Sequence, residues 1–260
     1  FPELFLSGYR IGDRFQTVAL DRAGEELRTL SRLASSRGVT VVVGAPLRHE
    51  RPGEVENAAV VAAPDGLVSI RAKQFLPTYG PFEEGVTFTP GSGGSPVRAG
   101  DHRLGLQICY DAFFPEVSRA LAFEGVDLLL VLSAAPVTSR RLFDKVLPAR
   151  AVENAVPLVY VNRVGVEDGV VFGGGSQALD ARGELLVAPG MPEEPARSDE
   201  AVWTVDIDPT EAARWRPFRP VLRDIAPHRT GTRRTSEPVD GGGAEAPAHP
   251  SERATRTHRL

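Results

Sequence analysis

Apolar residues in this chain come in short runs. Residues 39–43, 58–63, 103–109, 127–133 and 158–162 are each rich in Val, Leu, Ile or Ala over five to seven positions. Such runs are too short for helices and far below the ~18 residues that cross a membrane, so they read as strands buried on at least one face. Helical spacing fills the gaps between them. In residues 20–38, Leu20, Leu27, Leu30, Leu33 and Ala34 fall near one face, with Asp21 placed to cap the start and Gly38 to end it. Residues 115–123 read as a helix with Pro115 in its first turn. Residues 141–154 read as another, which Pro148 should kink or interrupt. Pro64-Asp65-Gly66 joins 58–63 to 67–72 as a hairpin, because Pro fixes φ and Gly allows it to be positive. Ala181-Arg182-Gly183 joins 176–180 to 184–187 in the same way. Residues 202–207 read as a last strand and 209–215 as a short helix. Helices alternating with strands, some joined as antiparallel hairpins, predict a layered α/β domain with a mixed sheet.

From His228 the composition changes. The tail carries Gly241-Gly242-Gly243 and repeated Pro, Thr and Arg, with Val239 and Leu260 as its large aliphatics. It cannot bury enough apolar area to offset its ordering entropy, so residues 228–260 are expected to be disordered and the folded domain to span 1–227. Over the whole chain 42% hydrophobic residues are enough for a core, and a net charge of -4 offers no basic footprint for nucleic acid. The single cysteine, Cys109, excludes an internal disulfide and a Cys-rich zinc site, and it fits a reducing, cytoplasmic setting. No signal-peptide pattern is visible. The first residue is Phe1 and not Met, and Phe1-Pro2-Glu3-Leu4 reads as the end of a strand, so the sequence is expected to be truncated upstream.

Cys109 lies where a strand ends and a helix begins, in Gly105-Leu106-Gln107-Ile108-Cys109-Tyr110-Asp111. Backbone N–H groups at such a turn lower a thiol pKa and can hold an oxyanion. The alternative is a buried, inert cysteine. A histidine partner is poorly supported. His228, His249 and His258 lie in the tail, and His49 and His102 sit in polar loop sequence. No Cys/His spacing suits a metal. Lysine and carboxylates remain. Of 30 basic residues only Lys73 and Lys145 are lysines, so a position that keeps the compact ammonium invites a chemical reason. Glu3 is a lone carboxylate among large hydrophobes, either held by partners or turned to solvent. Glu83 and Glu84 read equally as a solvated turn. Gly91-Ser92-Gly93-Gly94-Ser95 and Gly173-Gly174-Gly175-Ser176 fit neither a dinucleotide fingerprint nor a nucleophile elbow, and read as loops.

Taken in order, these stretches resemble the nitrilase, or carbon–nitrogen hydrolase, superfamily. Phe1-Pro2-Glu3-Leu4 is similar to its glutamate motif. Lys73-Gln74-Phe75-Leu76-Pro77-Thr78-Tyr79, with Phe82-Glu83-Glu84 and Phe88-x-x-Gly91, is similar to its lysine motif. Gly105 to Asp111, with Phe114-Pro115-Glu116, is similar to its cysteine motif. Ala149-Arg150-Ala151-x-Glu153-Asn154, Val161-Asn162-Arg163-Val164-Gly165 and Gly174-Gly175-Ser176 extend the likeness over residues 1 to 225. The resemblance implies a four-layer αββα sandwich with mixed sheets, commonly dimerised through one helical face, and no cofactor or metal. It implies Glu3 as general base, Cys109 as nucleophile, Lys73 as oxyanion stabiliser together with the Tyr110 backbone N–H, and Glu84 as a positioning carboxylate. The family's first strand, first helix and most of its second strand have no counterpart before Glu3. The lysine motif is most similar to the branch with NAD synthetase glutaminase domains and free-standing amidases. It therefore implies cleavage of a small linear amide, with Tyr79 and Tyr110 near the substrate and Arg163 near its acid side. An N-carbamoyl or ureido hydrolase, a nitrilase, and a non-catalytic homologue or inactive fragment stand as alternatives.

Overall fold

A computed structural model of the chain describes residues 1–80, 82–186, 200–208 and 210–226. Phe1–Asp224 form one compact unit; of the residues from Ile225 onward, 225 and 226 are described. The tail expected to be disordered lies outside the described residues.

In chain order, the unit begins with α1 (Phe15–Val18), α2 (Glu25–Arg37), β1 (Val41–Arg48), β2 (Val55–Ala62), β3 (Val68–Ala72) and α3 (Glu84–Thr87). It continues with β4 (Val97–Ala99), β5 (His102–Ile108), α4 (Pro115–Phe123), β6 (Leu128–Ser133), α5 (Arg140–Asn154) and β7 (Leu158–Asn162). Then come β8 (Val166–Glu167), β9 (Val170–Val171), β10 (Gln177–Leu179), α6 (Glu211–Trp215) and α7 (Val221–Ile225).

Strands β1, β2 and β3 form one antiparallel sheet in that order. The second sheet has the order β10-β7-β6-β5-β4. Its centre, β5-β6-β7, is parallel because α4 and α5 make the crossovers. Antiparallel strands close both edges. The two faces of β2 separate the layers. Ala58 and Val60 pack with Leu27 of α2, while Ala59 and Val61 join the core of the second sheet. On β5, Gly105 lies against Leu121 of α4, and Gln107 bonds Ser118 of the same helix. By alternation, Leu104, Leu106 and Ile108 face the other way, toward the first sheet. The layers therefore run α2, sheet, sheet, α4 and α5, which is the four-layer αββα sandwich.

Several boundaries differ from the sequence reading. Helix α2 starts at Glu25 rather than at residue 20, because Leu20 is used by the sheet: its N–H donates to Pro46 O and its carbonyl accepts from Arg48 N–H. Gly38 ends the helix with φ 63°, as expected. Pro148 does not interrupt α5. The helix is continuous, with Phe143, Leu147 and Ala151 buried on both sides of the missing N–H. Residues 202–207 alternate in burial but form no strand, since their backbone finds no sheet partner among the described residues. The second hairpin keeps its turn, Asp180 N–H donating to Glu184 O, yet its pairing shrinks to a bridge between Leu179 and Leu185; Val187 lies outside the described residues.

Candidate active site

The sheets bring together residues far apart in sequence. The first segment lies flat on β1: the Phe1 nitrogen donates to Val42 O at 2.7 Å, and Gly44 N–H donates to Pro2 O at 3.1 Å. A Cβ on Gly44 would stand 2.4 Å from the Leu4 nitrogen, so only glycine permits this approach. The chain then turns at Leu4, whose φ is 47°. That turn sends Glu3 inward, where it is fully buried.

Glu3 has partners on three sides. Its Oε1 accepts from Asn57 Nδ2 of β2 at 2.7 Å and from Lys73 Nζ at 2.7 Å. Its Oε2 accepts from Ala134 N–H, just past β6, at 2.8 Å. Lys73, also fully buried, follows β3, and its backbone is fixed by Asn57 O and Gly91 N–H. Its ammonium makes a second 2.7 Å contact, to Oε1 of Glu84, the first residue of α3. That oxygen also accepts from the Tyr9 hydroxyl at 2.5 Å. Glu84 Oε2 is buried and has no partner among the described residues.

Cys109 follows β5 and opens the 3₁₀ turn Cys109–Phe113 that leads into α4. Its φ is 48°, a left-handed conformation that costs a residue with a Cβ about 1–3 kcal/mol and must be held by its surroundings. Asp111 supplies part of that hold. Its Oδ2 accepts from Ile108 N–H, and its Oδ1 accepts from Gln74 and Phe75 N–H, so the thiol turn is sewn to the segment after Lys73. Arg150 of α5 supplies more, donating to the carbonyls of Ala112 and Phe113. Asn162 of β7 grips Ala135 through both its N–H and its carbonyl. It thereby steadies the loop that presents Ala134 to Glu3.

Electrostatics set the resting protonation. Burial pushes the Cys109 thiol well above its ordinary value, and the Glu3 charge adds to this; Lys73 and Ser133 pull it back without cancelling the rise. The thiol at rest is therefore protonated, and the lowered value expected from its position at a turn is overridden by burial and a neighbouring carboxylate. Burial opposes the Lys73 ammonium, but the charges of Glu3 and Glu84 more than offset it, and Lys73 stays protonated. Glu84 is pushed up to about 7 by burial, with Lys73 lowering it and Glu3 raising it. Burial raises Asp111 to about 6 against its backbone donors.

The structure thus gathers Glu3, Lys73, Glu84 and Cys109 at one junction. Tyr79 and Tyr110 lie at its rim, rings 5.4 Å apart and edge to face, with Phe82 5.6 Å from Tyr79 and Phe113 5.8 Å from Tyr110. Arg163 is engaged elsewhere. Its guanidinium donates to Leu4 O at 3.2 Å, pairs with Glu167 and lies 5.4 Å over the Phe172 ring. It braces the back of the Glu3 turn. Asn57 and Tyr9 were not singled out by the sequence reading. Asn57 could have been, as a side-chain amide within the apolar run of β2; nothing in the sequence around Tyr9 marks it. A cavity of about 130 Å3 touches Tyr9 and Glu84. A larger one, of about 530 Å3, opens over α5 at Arg140, Asp144 and Gly173 and touches none of the four central residues.

A buried thiol on a strained strand-to-helix turn thus stands beside an ammonium shared by two carboxylates, on an αββα sandwich. The sequence model of the carbon–nitrogen hydrolase family matches residues 1–217, and the chain belongs to that family. Over 215 residues it is 36% identical to an (R)-stereoselective amidase of Pseudomonas sp, covering 82% of this chain and 74% of that one. It is 35% identical to the glutamine-dependent NAD(+) synthetase of Thermotoga maritima, again over 82% of this chain but only 36% of the relative. Among solved structures it resembles the NitN amidase from Neterenkonia sp. AN1, with a TM-score of 0.68 and 31% identity over 88% of this chain and 83% of that one.

Proposed function

We propose that the protein hydrolyses the C–N bond of a small, uncharged linear carboxamide through a thioester on Cys109. The observation that carries this reading is the fully buried Lys73 ammonium, 2.7 Å from both Glu3 and Glu84 and electrostatically coupled to the thiol. A buried charge cluster of this kind is costly as a structural device, and replacing it with apolar side chains would be neutral or stabilising.

In the proposed cycle Glu3 accepts the Cys109 proton as sulfur attacks the amide carbon. Lys73 and the Tyr110 backbone N–H stabilise the resulting oxyanion. The tetrahedral species collapses, breaking the C–N bond, and the nitrogen takes the proton from Glu3 and leaves as ammonia. Glu3 then deprotonates a water, which attacks the thioester; the acid leaves and the thiol is restored. The unpartnered Glu84 Oε2 supplies the acceptor for the amide N–H. The Tyr79, Phe82, Tyr110 and Phe113 rim favours an apolar acyl group, and the commitment of Arg163 to Leu4 and Glu167 argues against an acidic one. A Nesterenkonia amidase has been seen with butyramide, a substrate-sized molecule of this class.

Ammonia release from a panel of short amides, N-carbamoyl amino acids and nitriles tests the proposal, with Cys109→Ala alongside. Release from amides, fastest for uncharged ones and lost in Cys109→Ala with the fold intact, is the expected result. Release confined to carbamoyl compounds or nitriles, or release that survives the substitution, overturns it.

A further inference from the structure

The two carboxylates that share Lys73 are not equivalent. Glu3 accepts three hydrogen bonds over both oxygens: Asn57, Lys73 and the Ala134 N–H. Glu84 receives both of its bonds on Oε1, from Lys73 and from Tyr9, and none on Oε2 among the described residues. One ammonium between two buried carboxylates leaves an excess negative charge in a low-dielectric site. The natural relief is for one carboxylate to take a proton. Glu84, with one bare oxygen, is where that proton goes.

Tyr9 opposes that outcome. Its ring is buried and wedged edge to face between Phe82 (6.3 Å) and Phe172 (6.1 Å). Its backbone is clamped as well: Glu167 accepts from the N–H groups of both Tyr9 and Arg10 and pairs with Arg163, which holds Leu4 O. The hydroxyl is therefore delivered to Glu84 by a rigid arm that also braces Glu3. Because burial and then the Glu84 and Glu3 charges hold the phenol proton far above neutrality, Tyr9 is a donor at every working pH. A short O–H···O contact of 2.5 Å to a carboxylate favours its ionised form.

We propose that Tyr9 is a positioning residue that biases Glu84 toward its ionised form, with Oε2 free, and so sets how far toward acid pH the site stays competent. This rests on the amidase reading for its catalytic consequence, though not for the ionisation itself. The charged and titratable groups facing Glu84 are Lys73 after β3, Glu3 on the first turn, Tyr9, and the Cys109 thiol just after β5. Arg10, Glu83 and Asp168 share the cavity of about 130 Å3 with Tyr9 and Glu84, and Arg10 pairs with Asp168 at 3.3 Å. Substitution of Tyr9 changes none of these.

The test is Tyr9→Phe, which keeps the ring and its aromatic contacts and removes one oxygen. Two readouts are followed against pH: the infrared carboxylate band of Glu84, assigned by its loss in Glu84→Gln, and kcat/KM for the best amide. The infrared titration of Glu84 is expected to move up by about one unit in Tyr9→Phe. The acid limb of kcat/KM should move with it, giving roughly tenfold lower activity at pH 6 and little change at pH 9. An infrared titration that stays in place, or activity lowered equally at all pH values, overturns the proposal. A shifted titration in a protein that releases no ammonia from any amide upholds the Tyr9–Glu84 link and overturns the amidase reading, so the two failures are distinct.

Discussion

Asn57 illustrates how much of this site depends on a single side chain outside the family's three motifs. Its amide holds Glu3 Oε1 at 2.7 Å, and its carbonyl fixes the Lys73 backbone at 2.8 Å. Asn57→Ala leaves the backbone contact in place and removes only the donor to Glu3. Loss of a charge-assisted hydrogen bond of ~1.5–3 kcal/mol should lower kcat by about tenfold or more, with KM little changed. Steady-state kinetics on the preferred amide check this; a change confined to KM would place Asn57 in substrate binding instead. At this scale the sequence was readable where composition made a residue conspicuous. Lys73 stands out in a chain rich in arginine, Cys109 is the lone cysteine, and Glu3 sits among large hydrophobes. Asn57 and Tyr9 act through partners 54 and 75 positions away. No local pattern encodes a contact of that range.

Among the elements, the close approach of the first turn to β1 is the most demanding. Gly44→Ala places a methyl group 2.4 Å from both the Leu4 nitrogen and the Pro2 carbonyl, and 2.6 Å from the Glu3 Cα. All three are backbone atoms that cannot swing aside. The substitution should destabilise the fold by about 2–4 kcal/mol and, by displacing Glu3, lower activity beyond what the lost folded fraction explains. Denaturant melts paired with activity at a concentration where the variant remains folded separate the two effects. Regular elements were the most legible part of the fold. Helix α4 falls where apolar spacing and Pro115 place it, and strand β7 where its short apolar run does. Legibility failed where the sheet recruited residues that also suit a helix, as at Leu20, and where an alternating segment, residues 202–207, found no partner. Hairpin and helix signals predicted a mixed α/β domain. The four layers came from the family resemblance and not from those signals; in the structure they rest on β2, which buries one face against α2 and the other against the second sheet.

For the whole molecule, the same cluster shapes stability against pH. Glu84 rises from an ordinary 4.5 to about 7, and Asp111 from 3.8 to about 6. Between those values the folded state holds protons that the unfolded chain has released, so stability from these groups is greatest below 3.8 and falls as pH rises toward about 7. From these two groups alone, the melting temperature at pH 8 should lie about 5 °C or more below that at pH 5.5. Glu84→Gln should flatten this dependence and raise the melting temperature at pH 8 while abolishing turnover. Calorimetric scans across that pH range decide it, and a wild-type melting temperature that climbs from pH 5.5 to 8 with the Glu84→Gln curve running parallel would contradict the assignment. The hydrogen bond from Ala134 to Glu3 spans 131 residues, and Asn162 fixes the loop that makes it. In a chain growing on the ribosome the glutamate therefore emerges before the cysteine, and both emerge before β7. The chain cannot join them in a supported site until β7 has been synthesised. The nascent polypeptide carries a dormant thiol, and chemical competence arrives in one event, late, when the two sheets close on each other.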